Sequence, residues 1–483
     1  MIRKNMITYI ILWFIAILLW FLFCFWEVKD AYYNGENTPE SFDITNVQSN
    51  DTISQKQIQQ EASKESNESQ EQTPKEENVA YSDLEDKTNQ NSLSNCQIRV
   101  LLLSDEERIF HDKVVLKYKD ELLEIDTQSK YFQKTDKIRI RIWNQNNSAI
   151  QIMSLHKKYG NPHYEGTIEI QKKDEGLVVI NELSLESYIK GVLPGEMSLS
   201  FPMEALKAQA VCARTFAVMK MNQPAYPLYG AAVDDSVSSQ VYMMQQRNEK
   251  ADLAVEETEN ELLYDMDGQL AHCYYYSTSC GKRATEEVWD IDAINNKQCN
   301  TSDETEQEFE DFICTRNESH LEKEEPFYRW TYETKISSEA LYERCQKRNL
   351  CTDDFGNIKD IKIVCRENGG AAELIEIICE DGTFTIAGEY NIRYVLSNGG
   401  NAVLQNESEY AVSELLPSAF LTITCNTNKK GNIIGYTIHG GGFGHGIGMS
   451  QNGAKYMAKA GNNYVEILQT YYRGSYIDKS EIK

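Results

Sequence analysis

Three kinds of hydrophobic pattern follow one another along the chain. Residues 7–26 read ITYIILWFIAILLWFLFCFW, and no charged residue falls between Lys4 and Glu27. About 20 helical residues at roughly 1.5 Å each cross a bilayer core of about 30 Å. The run exceeds the apolar part of a cleaved secretory signal, and no small-x-small cleavage site follows it, so an uncleaved anchor over residues 1–30 is expected. Arg3 and Lys4 precede the run while Glu27 and Asp30 follow it. Positive charge is retained on the cytoplasmic side, so the rest of the chain is expected outside the cell membrane, as a single-pass protein.

The second pattern is an absence of pattern. Residues 31–95 are rich in Glu, Gln, Ser, Asn and Thr, with almost no aromatic or branched apolar side chain after Val47. Such a stretch cannot bury enough apolar area to offset the entropy of ordering it, and it is expected to be a disordered acidic tether.

The third pattern starts at Gln97. IRVLLL, VVLKY, IRIRIW, AIQIM, GTIEIQ and GLVVIN are short, rich in branched residues and separated by polar or Gly/Asn turns, which predicts antiparallel sheet. Residues 202–221, PMEALKAQAVCARTFAVMKM, then switch to a helical pattern, with Pro in the first turn and Ser200 available as a cap. Five alanines on this helix allow close approach of another backbone, which marks it as a core helix. Strand-like segments are expected near 240–244 and 272–276, then at IKIVC, LIEIIC, FTIAG, FLTITC and IIGYTIHG, with a last helix after Asn452. Residues 300–325 are acidic and weakly patterned and read as an inserted loop. The expected fold class is α+β, mostly antiparallel strands around a core helix, forming one extracytoplasmic domain over residues 96–483.

Charge and cysteine content narrow this further. A formal net charge of −26 and a pI near 4.8 exclude duplex nucleic acid as a natural partner, because phosphate backbones need a cationic surface. Twelve cysteines fit a compartment without cytosolic reductants. Short-loop pairings would be Cys299 with Cys314, Cys345 with Cys351, and Cys365 with Cys379, with buried thiols as the alternative.

Four segments carry candidate chemistry: LESYIKGVLPGEM running into EALKAQAVCARTFA (residues 185–217), DDSVSSQVY (234–242), YYSTSCGK with VWD (275–290), and GHGIGMSQNGAKYMAKAG with VEILQTYYRG. In this order they resemble the stage II sporulation protein D / LytB family, over residues 97 to about 478. Glu196, in Pro-Gly-Glu, reads as a turn carboxylate ahead of the long helix, where it could serve only as a favourable charge. The resemblance instead matches it to the family's catalytic glutamate. It implies a lytic transglycosylase acting on peptidoglycan in sporulation and engulfment. Such an enzyme cuts the bond between N-acetylmuramic acid and N-acetylglucosamine in denuded strands, leaving 1,6-anhydro ends. One proton donor suffices for that chemistry, provided burial raises its pKa. LytB-like relatives offer a second reading, a wall-binding modifier of an amidase that does not itself cut glycan.

Lys207 and Arg214 share one helix face, either as solvated ion pairs or, as the resemblance implies, as functional groups. They are expected to hold the lactyl carboxylate of muramic acid, with Arg214 suited to a bidentate grip. Ser239, Gln240, Ser277, Thr278, Ser450 and Gln451 supply neutral donors and acceptors suited to sugar hydroxyls and acetamides. Lys282 is a second candidate for an anionic group. His445 could bind substrate, orient the acid or be structural. The run HGGGFGHGIG lacks the Lys-Ser/Thr ending of a phosphate loop, so its glycines read as points of close backbone approach. Where many family members have Ser-Gly-Gly, this chain has Ser279, Cys280 and Gly281. Cys280 with His272 and Cys273 raises a zinc site, although adjacent residues on a strand face opposite ways. No cofactor is required by the sequence. The partners expected are peptidoglycan strands, the membrane, an amidase and other engulfment proteins.

Overall fold

The computed structural model describes residues 43–46 and 96–479, apart from 105–107, 119–120, 142–149, 158–160, 243–247, 290–303, 352–355 and 432. The expected membrane span, Cys299 and Asp290 lie outside the described residues. Among the described residues no helix is long and apolar enough to cross a membrane.

The first lobe is built from strands β1 (Asp43–Asn46), β2 (Gln97–Leu102), β3 (Lys113–Tyr118), β4 (Glu121–Asp126), β5 (Lys137–Arg141), β6 (Ile150–Ile152), β7 (His163–Tyr164), β8 (Thr167–Lys173) and β9 (Gly176–Ser184). Two helices follow, α1 (Leu185–Glu196) and α2 (Met203–Asn222). After them come β10 (Val233–Asp234), α3 (Glu249–Glu257), β11 (Glu261–Tyr264) and β12 (Tyr275–Tyr276). One sheet runs β1-β5-β8-β9-β2-β10 and a second runs β4-β3-β6-β7. Within these two sheets the expected antiparallel ladders are formed, and β10 joins β2 in parallel. Four residues of the expected tether depart from that reading. Asp43–Asn46 pair with the edge strand β5, and Ile44 in this segment is one of the few branched residues the tether offers.

Helix α2 is the spine of this lobe, buried from Ala208 to Ala217. Its Ala-rich sequence lets α1, α3, β11 and later helices pack closely around it. Ser200 does not cap it. Pro202 occupies the cap position without a side-chain bond, and the Ser200 hydroxyl pairs with that of Ser198.

The chain then leaves for a second lobe: α4 (Glu306–Cys314), β13 (Trp330–Thr334), α5 (Ser338–Lys347), β14 (Ile358–Arg366), β15 (Ala372–Cys379), β16 (Thr383–Ala387), α6 (Glu389–Leu396), β17 (Asn401–Leu404), β18 (Glu409–Ala411), β19 (Leu421–Thr427) and β20 (Ile433–Gly440). It returns through β21 (Met449–Ser450), α7 (Gln451–Lys459), α8 (Tyr464–Tyr471) and β22 (Tyr476–Lys479). The single last helix expected from sequence is two, because Gly461 takes positive φ and Asn463 starts a new capping box with Glu466. The second lobe has its own core around Tyr332, Ile375, Ile377 and Ile438. A smaller cluster including Cys280, Phe309, Phe420 and Ile447 joins the lobes.

The acidic stretch is more than a loop. Thr305 and Glu308 form a capping box that starts α4, and α4 buries Phe309 and Ile313. The guessed disulfides are not made among the described residues. Cys365 faces Leu374 and Cys379 faces Ile358, at opposite ends of the β14–β15 hairpin. Cys345 and Cys351 are thiols packed in the second core.

Candidate active site

The exit and return of the second lobe define the site. Strand β12 pairs in parallel with β21, Tyr275 beside Met449 and Tyr276 beside Ser450. The STSCGK turn and the start of α7 therefore lie side by side, although about 170 residues separate them. The Asn452 side chain donates to Thr278 Oγ1 at 3.0 Å and its backbone N–H donates to the Ser277 carbonyl. His445, in the glycine run, is held here by both ring nitrogens. Nδ1 accepts from the Ile447 N–H at 3.1 Å, which leaves Nε2 to donate to the Tyr275 carbonyl at 3.0 Å. Burial pushes its pKa down, and through these two bonds His445 braces the Tyr275 backbone.

Glu196 is the last residue of α1, not part of a turn preceding a helix. Ser184 caps that helix by accepting from the Ser187 N–H, and Pro194 falls in the last turn, where it forgoes one N–H bond to the preceding turn but has almost no helix beyond it to disrupt. Gly195 lets the 234–242 segment come down onto this turn. A Cβ there would lie 2.4 Å from the Val241 carbonyl oxygen. As a result the Val241 N–H donates to Glu196 Oε1 at 2.6 Å.

Glu196 keeps partial solvent exposure while its carboxyl is crowded by protein atoms. Burial is the largest influence on it and raises its pKa, against the Val241 N–H and the Tyr275 hydroxyl, which favour the ionised form. Behind it runs a chain of neutral donors. Tyr188 Oη donates to Gln240 Oε1 at 3.1 Å, Gln240 Nε2 donates to Tyr275 Oη at 3.1 Å, and Tyr275 reaches Glu196. From the return side, Gln451 Nε2 donates to the Glu196 carbonyl at 3.0 Å and lies 3.4 Å from Gln209 Oε1. Among the described residues, no lysine or arginine acts strongly on this carboxyl. An acid so placed can hold a proton and release it to a group brought against it.

The other predicted residues are elsewhere or otherwise engaged. Arg214 has no exposed side-chain surface. Its Nε and Nη2 each lie 2.8 Å from the two Glu186 oxygens, and further bonds go to the Val255 and Glu261 carbonyls. A substrate carboxylate cannot reach it, and its work is to tie α1 to α2. Lys207 is paired with Glu204 and Glu257. Lys282 pairs with Glu304. Ser239 accepts from the Asp234 N–H. Ser450 is fully buried, and its hydroxyl is used inside the protein. The structure thus brings Glu196, Gln240 and Gln451 together, with Ser277 and Thr278 linked through Asn452.

Sequence reasoning missed Tyr275, Tyr188 and Gln209, although all three stand inside the quoted segments. The Val241 contact is a backbone group and has no side-chain signature. His272, Cys273 and Cys280 do not converge. His272 is exposed and lies 2.8 Å from Glu286, Cys273 is buried in the first core, and Cys280 belongs to the cluster between the lobes. Among the described residues no group of three His, Cys, Asp or Glu could hold a metal. The residues do not fit the suggested zinc site.

A family model described as Stage II sporulation protein matches residues 173–264, from β9 through α1 and α2 to β11. The chain is 27% identical over 316 residues to stage II sporulation protein D of Bacillus subtilis, covering 62% of this chain and 76% of that protein. It is 30% identical over 319 residues to an uncharacterized protein of Brachyspira hyodysenteriae, covering 64% and 71% respectively. The chain belongs to the stage II sporulation protein D domain family. The part matched by the family model holds Glu196, Gln240, Lys207 and Arg214. A second model, a domain of unknown function (DUF8618), matches residues 273–448, so the STSCGK turn, the inserted lobe and the glycine run fall there. The amidase enhancer of Bacillus subtilis is 28% identical over 300 residues, covering 59% of this chain but only 40% of that longer protein. Gln451 lies beyond both matched regions, and the parallel pairing of β12 with β21 places it beside Glu196.

Proposed function

We propose that this protein is a peptidoglycan lytic transglycosylase that cuts denuded glycan strands between N-acetylmuramic acid and N-acetylglucosamine, with Glu196 as proton donor. The observation that carries this reading is the Glu196 carboxyl itself: part-exposed, raised in pKa by burial, and held by Val241 and Tyr275. In the proposed reaction Glu196 gives its proton to the glycosidic oxygen as the bond from muramic C1 to that oxygen breaks. The muramyl 6-hydroxyl closes on C1, and the Glu196 carboxylate takes the hydroxyl proton. Acid and base are one residue, atoms balance without water, and no nucleophilic partner carboxylate is needed. The Val241 N–H and the Tyr275 hydroxyl stabilise the carboxylate during the step in which it is charged. We further propose that residues 7–26 anchor the chain, that the catalytic domain works on the wall side of the membrane, and that an amidase supplies the denuded strands.

Mass analysis of products from denuded glycan tests this. Ends one water lighter than hydrolysis products are expected with the wild type and absent with Glu196→Gln. The similarity to an amidase enhancer supports a second reading, a wall-bound amidase modifier. Under that reading no anhydro ends form, while the chain stimulates an amidase and Glu196→Gln leaves the stimulation unchanged.

A further inference from the structure

A second buried carboxyl lies on the far side of Ser450. Glu322, from the acidic stretch after α4, is 2% exposed. Its Oε2 accepts from Ser450 Oγ at 2.7 Å and from the Ser279 N–H at 2.8 Å. Ser450 in turn caps α7, its Oγ accepting from the Gly453 N–H at 3.2 Å. Gly453 is part of this fit, since a Cβ there would lie 2.8 Å from Glu322 Oε1 and 1.9 Å from the Tyr471 hydroxyl. One carboxyl therefore fastens both strands of the crossing point: the STSCGK turn, through Ser279, and the return strand, through Ser450. The crossing needs such a fastening, because β12 and β21 are only two residues long. Gln451, directly after Ser450, is the residue that donates to the Glu196 carbonyl.

We propose that Glu322 is a positioning residue of the active site, clamping the return strand to the STSCGK turn so that Gln451 and Tyr275 meet Glu196 in register. This rests on the transglycosylase reading for its kinetic consequence, but not for the clamp itself. The groups facing Glu322 are Glu325 on its own segment, Lys455 and Tyr456 on α7, Tyr276 on β12, Tyr471 on α8 and the nearby His320. Burial raises its pKa to about 7, with Glu325 adding to the rise and Ser450, Ser279 and Lys455 opposing it. The clamp is charge-assisted above that value and loses its charge as pH falls through it.

The test compares wild type with Glu322→Gln, which keeps the shape and removes the charge. Expected are an unchanged fold by circular dichroism, a kcat roughly 10- to 100-fold lower with little change in KM, and loss of any acid-side limb near neutral pH. Hydrogen exchange should quicken at residues 276–280 and 449–453. If the amide variant does not fold, Glu322→Asp serves: it keeps the charge but is too short to reach both donors, and it should show the same kcat and exchange changes. A folded variant with wild-type kcat and wild-type exchange overturns the proposal, as does a defect confined to KM. If the wild type releases no anhydro ends, the transglycosylase reading has failed, and the exchange measurement alone still decides the clamp.

Discussion

Helix α1 carries a glutamate at each end, and the two have opposite surroundings. Glu186, in the first turn, is held in a two-pronged ion pair by the fully buried Arg214, so its charge is matched inside the fold. Glu196, in the last turn, meets a backbone N–H and a tyrosine hydroxyl but no cation, and burial favours its neutral form. A helix C-terminus carries partial negative charge, which is the wrong end for a carboxylate. Charge is compensated where the helix is anchored and left uncompensated where, in the proposed reaction, a proton is given away. The difference also separates two arginine roles that sequence cannot tell apart, since a buttress and a substrate grip both demand a charged residue on one helix face.

The largest change is expected from Glu196→Gln. It should lower the rate of anhydro-product formation by roughly 10²- to 10⁴-fold, the usual contribution of a general acid. The effect on stability has the opposite sign. A carboxyl whose folded pKa is raised disfavours folding once it ionises, a penalty that grows as pH rises from its unfolded pKa to its folded one. The glutamine has no such penalty, so calorimetry at neutral pH should give a melting temperature equal to or above that of wild type. A clear drop would mean that Glu196, like Glu186, is structural, and the contrast between the helix ends would be gone.

Arg214→Ala should produce the reverse profile. It leaves the half-buried Glu186 without its cation and opens a hole in the core where the buried guanidinium stood, a loss of about 3 kcal/mol of stability in denaturant titration. The fraction that still folds should bind denuded glycan like wild type. Binding lost without loss of stability would restore the substrate-grip reading. Gly195→Ala is expected to cost roughly tenfold in kcat. The added methyl pushes Val241 away and breaks its bond to Glu196, which product-formation kinetics would register. The smallest effect belongs to Tyr275→Phe. Removing a donor that favours the carboxylate raises the Glu196 pKa further, so the alkaline limb of the pH–rate profile should move upward by about one unit or less.

The parts of this fold written in local pattern were legible in the sequence. The alternating strands of the first sheet, the Ala-rich α2 and the four motif segments stand where periodicity and spacing put them. Helix α1 was not legible, because Gly191, Pro194 and Gly195 interrupt its pattern and make LPGE read as a turn. What sustains it is burial of Tyr188, Ile189, Val192 and Leu193 in the first core, which local propensity does not report. The acidic stretch was misread for a related reason. Its composition is that of a solvated loop, while Glu322 is bonded to Ser279, 43 positions earlier in the chain, and to Ser450, 128 positions later. Arg214 and His445 were identified by type but not by role, since only three-dimensional partners decide whether a donor faces a ligand or the protein.

The second lobe departs through β12 and comes back through β21, its two ends nearly touching. An insertion hinged in this way can be exchanged, enlarged or trimmed without pulling apart the scaffold that receives it. Glu322 makes such exchange conditional. Any replacement cargo has to bring its own latch for the doorway it passes through, or the contacts around Glu196 lose their alignment.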